Sequence, residues 1–140
     1  MTSDALRFLD TNVLLRYFTR DDEAKAHKAL ALLSRIESGE EKVETSLLVI
    51  FEAVYTLQRL YRVPRARIRD LLVPLLHLRG LRLPNKGLCI EALDLFADSN
   101  ISFAAAFNAA YMQGVGVTEV YSWDPDMDKV EGLKRIEPEG

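Results

Sequence analysis

Short strand-like runs alternate along this chain with segments of helical periodicity, and that alternation limits the folds open to it. Strands are expected over residues 6–9, 42–45, 81–83, 119–122 and 133–136. Helices are expected over residues 13–18, from 21 or 22 to 39, and over 47–61, 64–79, 87–97 and 101–113. Within the second of these, Ala26, Ala29, Leu30, Leu33 and Ile36 recur at helical spacing up to Gly39. Pro64 suits a helix start. Pro74 removes a backbone hydrogen bond and should kink or end the helix it falls in. Strands joined through helices point to an α/β class, with a parallel sheet covered by helices on both faces.

The 140 residues suffice for one core, so residues 1–140 are read as a single domain. A net charge of −3 is too small to make a polyanion-binding protein by bulk electrostatics. A nucleic-acid partner would need a local basic patch or bridging cations. Cys89 is the only cysteine, which rules out an intramolecular disulfide and fits a reducing compartment, with a buried structural role for the thiol. The amino terminus lacks the basic-then-apolar pattern of a signal peptide, and no apolar run reaches membrane-spanning length. The expectation is a soluble, cytoplasmic protein with no membrane partner.

Two of the strand-like runs end in aspartate. Leu6-Arg7-Phe8-Leu9 runs into Asp10, and Val120-Tyr121-Ser122-Trp123 runs into Asp124, followed by Pro125 and Asp126. In α/β proteins the chemistry gathers beyond the carboxyl ends of parallel strands. Two other roles stand beside that one: Asp10 as the N-cap of the following helix, and Asp124 and Asp126 as turn formers. Glu52 is embedded in a helix that is apolar almost all round and therefore expected to be largely buried. It shares a stripe with Thr56 and Arg59, either a narrow solvated face or an opening onto the site. Converging carboxylates repel unless a cation lies between them, and an all-oxygen donor set suits Mg²⁺ or Mn²⁺.

The combination resembles the PIN-domain ribonucleases, and especially the VapC-type toxins of toxin–antitoxin pairs. The likeness is carried by Phe8 through Tyr17 with Asp10, Thr11 and Asn12, by Thr45-Ser46 followed by Glu52, and by Tyr121-Ser122-Trp123-Asp124 through Ile136-Glu137-Pro138. What the resemblance implies is a PIN-like three-layer domain, its central and mainly parallel sheet of four to five strands flanked by helices. It further implies a Mg²⁺-dependent (or Mn²⁺-dependent) endoribonuclease, an RNA substrate, a cognate antitoxin protein and a homodimer. Asp10, Glu52 and Asp124 match its acidic, metal-binding positions, Asp126 is a further candidate acid, and Asn12 and Ser46 match polar neighbours of the site.

One acid that the resemblance implies is missing, because Ala105 stands at the matching position in Phe103-Ala104-Ala105-Ala106-Phe107. As a residue it reads equally as a small core side chain in an alanine-rich helix. An engineered inactivation and a natural loss both account for it. Asn108, one turn on, offers only an amide oxygen. The chain is therefore expected to be inactive or impaired as a nuclease, the alternative being a non-catalytic PIN-like module that binds an antitoxin or RNA. Arg59, Arg62, Arg65, Arg67 and Arg69 are read as a solvated basic face, and His27 and His77 as uninvolved. Trp123 is expected to pack beside the site. Asp10-Thr11-Asn12 is also similar to phosphatases with a strand-end aspartate nucleophile, which expect a second aspartate where Asn12 stands.

Overall fold

The computed structural model describes residues 6–140. Residues 1–5, on which the reading of the amino terminus partly rests, lie outside the described residues. The chain divides into two compact units, Met1–Lys86 and Gly87–Gly140.

The first unit carries β1 (Arg7–Phe8), α1 (Thr11–Thr19), α2 (Glu23–Ser38), β2 (Val43–Glu44), α3 (Leu47–Arg59), α4 (Arg65–Leu76) and β3 (Leu81–Arg82). Its strands form a parallel ladder in the order β1-β2-β3, with Phe8 opposite Glu44 and Glu44 opposite Arg82. The ladder continues one residue beyond the strands. Leu9 N–H donates to Glu44 O at 2.8 Å, and Thr45 N–H to Arg82 O at 2.9 Å. The buried Thr45 hydroxyl closes this end by donating to Leu9 O at 2.9 Å. Asp10 and Ser46 come next in each strand and cap α1 and α3, so two helices begin side by side at the carboxyl ends of neighbouring strands.

Local sequence accounts for the helix ends. Asp22 accepts from Lys25 N–H at the start of α2, and Gly39, at φ +83°, closes it in the left-handed conformation that glycine adopts without strain. Pro74 falls in the last turn of α4, which stops at Leu76, so the proline ends the helix. The core gathers Leu14, Ile36, Ile50, Leu57, Ile68, Leu72 and Leu76, all essentially inaccessible to solvent.

The expectation that α3, apolar almost all round, is largely buried holds for one side only. Val49, Ile50, Ala53, Val54 and Leu57 are buried, but Leu48 is 73% exposed and Tyr55 56% exposed. One stripe of an apolar helix is left on the surface, and Glu52 lies in that stripe.

The second unit carries α5 (Lys86–Asp98, entered from the last residue of the first unit), α6 (Phe103–Val115), β4 (Glu119–Tyr121), a 3₁₀ turn (Pro125–Lys129) and β5 (Lys134–Ile136). β4 and β5 pair in parallel, Val120 opposite Arg135. Phe96 of α5 meets Phe103 of α6 edge-on, ring centroids 5.9 Å apart. The α/β class with parallel pairing is thus as the sequence predicts, and all five predicted strands are present. They sort into a ladder of three and a ladder of two, where the resemblance implies one sheet of four to five strands. Among the described residues, no helix is long and apolar enough to cross a membrane.

Candidate functional site

Asp10 caps α1 by accepting from Thr11 N–H through Oδ1 at 2.8 Å. The capping role and the candidate chemical role are compatible, because the cap engages only Oδ1 and the side chain is exposed. The hydroxyl of Thr11 donates in turn to Glu52 Oε2 at 3.0 Å. Thr11 is itself buried at 3% exposure. A fixed residue at the first turn of α1 therefore touches both carboxylates of this unit, one through its amide and one through its hydroxyl. The structure brings Asp10 and Glu52 to a common partner and leaves each an oxygen for another ligand.

Ser46 is occupied by its own helix, its Oγ accepting from Val49 N–H at 3.3 Å. Asn12 is exposed and lines a cavity between α1 and α2. Nearby, Asp21 accepts from the Tyr61 hydroxyl at 2.8 Å, from Arg16 at 2.8 Å and from Thr19 at 3.1 Å. These bonds, that of Tyr61 foremost, hold its carboxyl below the usual range. Thr11 and Thr45, buried and satisfied at the ends of β1 and β2, are the positioning residues that sequence reasoning missed. The available signal was a threonine at each strand end, Thr11 directly after Asp10 and Thr45 directly before Ser46.

In the second unit Asp124 repeats the pattern of Asp10. It caps the 3₁₀ turn, its Oδ1 accepting from Asp126 N–H at 2.9 Å, and its side chain is exposed. Asp126 is committed to the fold. Its Oδ2 accepts from Ser102 N–H at 3.1 Å, and its Oδ1 lies 3.3 Å from Lys129 Nζ. Ser102 caps α6, accepting from Ala105 N–H through Oγ at 3.1 Å. Asp124, Asp126, Ser102 and Ala105 thus lie on one hydrogen-bonded path. Ala105 is 3% exposed, in a helix whose Ala106, Ala109 and Ala110 are also buried. The third residue of a helix is where a carboxylate would reach back to the N-cap amide in a capping box. Here Asp126 supplies that carboxylate from another segment. Trp123 does not pack as expected: it is 69% exposed.

Among the described residues, no group of three or more His, Cys, Asp or Glu side chains is arranged to hold a metal ion. The donors are oxygen only, which fits the chemistry of a hard divalent cation. Within each unit their placement provides a pair rather than a complete ligand set.

A PIN-domain family model matches residues 7–133, and the chain belongs to the PIN-domain family. The fold is of a nuclease type, and PIN domains are generally metal-dependent nucleases. The comparison with curated proteins found no match.

Proposed function

We propose that the native activity of this fold is divalent-metal-dependent endoribonucleolytic cleavage, as the toxin of a toxin–antitoxin pair, and that the chain with Ala105 is nearly inert. The observation that carries the reading is the linkage Asp10–Thr11–Glu52, in which one buried residue engages two exposed carboxylates, Asp10 through its amide and Glu52 through its hydroxyl, and each keeps an oxygen for a further ligand. Support comes also from membership of a family whose nucleases act on RNA and often pair with antitoxins. The family match is continuous across residue 86, which favours reading residues 1–140 as one domain.

Asp10, Glu52 and Asp124 are the proposed ligands of Mg²⁺ or Mn²⁺. When bound, such a cation neutralises charge on a phosphate and activates water as nucleophile. The protein's part is to hold carboxylate oxygens in fixed directions. Asp10 and Asp124 are fixed by their caps, and Glu52 by Thr11. Asp126 is proposed to act by positioning the start of α6. A homodimer is proposed as well, supported by the exposed Leu48 and Tyr55 on α3, since outward apolar stripes of this kind mark interaction surfaces. The proposed location is the cytoplasm.

The test is Ala105→Asp. The parent chain should leave RNA uncut. The variant should cleave it with Mg²⁺, stop when a chelator is added, and lose the gain on a further Asp10→Asn change. A variant that folds, binds Mn²⁺ and still leaves a broad panel of RNAs uncut would move the assignment to a non-catalytic module that binds an antitoxin or RNA.

A further inference from the structure

A cavity of about 370 Å³ lies within the first unit between α1 and α2. Asn12 and Arg16, one turn apart on α1, line one side, and Lys25 and Lys28 line the other, with Val13 and Ala29 as apolar wall. Three cations and an amide face this space, and among the described residues no acidic side chain lines it. Arg16 is partly committed, since Asp21 holds it at 2.8 Å. Lys25 and Lys28 are exposed, and neither ammonium pairs with a described residue. Their positions three apart on α2 put both on the same side of the helix. Unpaired lysines beside a concave wall are poised for an anion, and a lysine ammonium binds phosphate as a mobile point charge.

The place of the cavity narrows the choice of anion. Asn12 lines it, and Asn12 is separated from Asp10 only by Thr11. An anion seated against Asn12 is at the same end of α1 as its cap Asp10 and as Thr11, which holds Glu52. Those carboxylates repel a polyanion, and a chain of net charge −3 offers no bulk attraction to offset them. A local basic seat close in sequence to the acids is therefore what an RNA-binding surface on this chain needs.

We propose that this cavity seats a backbone phosphate of single-stranded RNA next to the phosphate to be cleaved, with Lys25 and Lys28 as its principal contacts, Arg16 as a secondary one and Asn12 as a neutral hydrogen-bonding neighbour. This rests on the ribonuclease reading. Lys25 and Lys28 are positioning residues, because they hold the strand and touch no reacting atom.

The experiment uses the parent chain, a fluorescein-labelled single-stranded RNA and fluorescence anisotropy over a series of KCl concentrations, with Mg²⁺ and with EDTA in parallel, gels confirming that the RNA stays intact. The parent is compared with Lys25→Gln/Lys28→Gln and with Arg62→Gln/Arg67→Gln, which removes the same net charge away from the cavity. Losing the contacts to one phosphate of a single strand should lower the slope of log K against log salt by about 0.7, so the lysine variant should fall by roughly that much in slope and bind about fivefold more weakly near 0.1 M salt. The arginine variant should move much less. If the two variants fall in slope and affinity alike, the cavity is not the seat and the proposal fails while the ribonuclease reading stands. If the parent binds no RNA even at low salt, both fail. If a polyglutamate peptide binds the parent through Lys25 and Lys28 while RNA binding ignores them, the cavity takes protein carboxylates and the proposal is overturned. Equal thermal midpoints for all three chains establish that none of these outcomes reflects unfolding.

Discussion

Thr11 donates its hydroxyl to Glu52 at 3.0 Å across 41 positions of sequence. The same residue gives its amide to Asp10 at 2.8 Å, so α1 and α3 are coupled through one buried side chain at the end of β1. The bond does more than satisfy a polar group, because it sets the direction of a carboxylate that is otherwise exposed.

Thr11→Val should keep the fold and lose the orientation of Glu52. Removing one hydrogen bond of this kind costs about 0.5–1.5 kcal/mol, which urea unfolding would read. In the Ala105→Asp background, Mn²⁺ affinity should fall by roughly 10- to 100-fold, the usual effect of deleting a group that orients a ligand. Unchanged Mn²⁺ affinity would confine Thr11 to the architecture.

Asp126 lends itself to separation of a capping role from a ligand role. Asp126→Ala removes the acceptor for Ser102 N–H and should cost about 1 kcal/mol, as helix-cap losses do. Asp126→Asn keeps an oxygen for that amide and gives up only the Lys129 pairing, itself partly exposed and of small value. Stability and any activity in the Ala105→Asp background should therefore be restored by asparagine. A metal ligand would not be replaced this way, so an inactive but fully stable Asp126→Asn variant would make Asp126 a ligand.

Gly80 is buried where β3 begins, donating to Ile36 O at 2.8 Å while its own carbonyl accepts from Val43 N–H at 2.8 Å. A Cβ there would overlap Glu41 O and stand 2.9 Å from Ile36 O, both backbone atoms that cannot swing aside. Gly80→Ala should destabilise by about 1–3 kcal/mol or more through forced displacement of the ladder. Equal urea midpoints would show that the β2–β3 edge yields more easily than this packing implies.

Burial pushes the Cys89 thiol up from 9.0 to about 12. A group whose folded value is raised binds its proton more tightly when folded, so its contribution to stability is complete below pH 9.0 and is lost as pH rises toward about 12. Iodoacetamide should label Cys89 slowly at pH 8 and quickly once urea unfolds the chain. Cys89→Ala should flatten the loss of stability between those two pH values. Rapid labelling of the folded chain at neutral pH would contradict the burial.

The elements legible in the sequence are those governed by local chemistry. Asp22 and Gly39 frame α2 and Ser46 starts α3, because caps and periodicity act over a turn or two. Asp10 and Asp124 are legible as strand-end acids, and their caps show why aspartate suits both places. What stays hidden depends on partners far along the chain. The apolar residues of α3 cannot report which of them lack a neighbour, so Leu48 and Tyr55 read as core. Trp123 reads as a packing residue for the same reason, and Asp126 as a turn former until Ser102 is brought against it. Thr11 is hidden more deeply, since nothing near it in sequence names Glu52.

Ala105→Asp should alter stability independently of catalysis. The site is 3% exposed, so a carboxyl introduced there is desolvated, and burial raises its pKa. Its place in the first turn of α6 favours negative charge, but Ser102 N–H already donates to Asp126 and is not free to compensate the new group. The folded chain should therefore hold that proton more tightly than the unfolded chain. By linkage, Ala105→Asp should be less stable than the parent at pH 7, and the difference should shrink as pH falls toward the ordinary carboxylate range. Mn²⁺ should recover the lost stability at pH 7 in proportion to its binding, because a bound cation replaces the missing compensation. The measurement is the thermal midpoint of both chains from pH 4 to 8, with Mn²⁺ and with EDTA. Recovery by acid together with Mn²⁺ places the introduced carboxyl at a cation site. Recovery by acid alone leaves it a buried charge with no ion to meet, and the proposed ligand set would then have to exclude position 105.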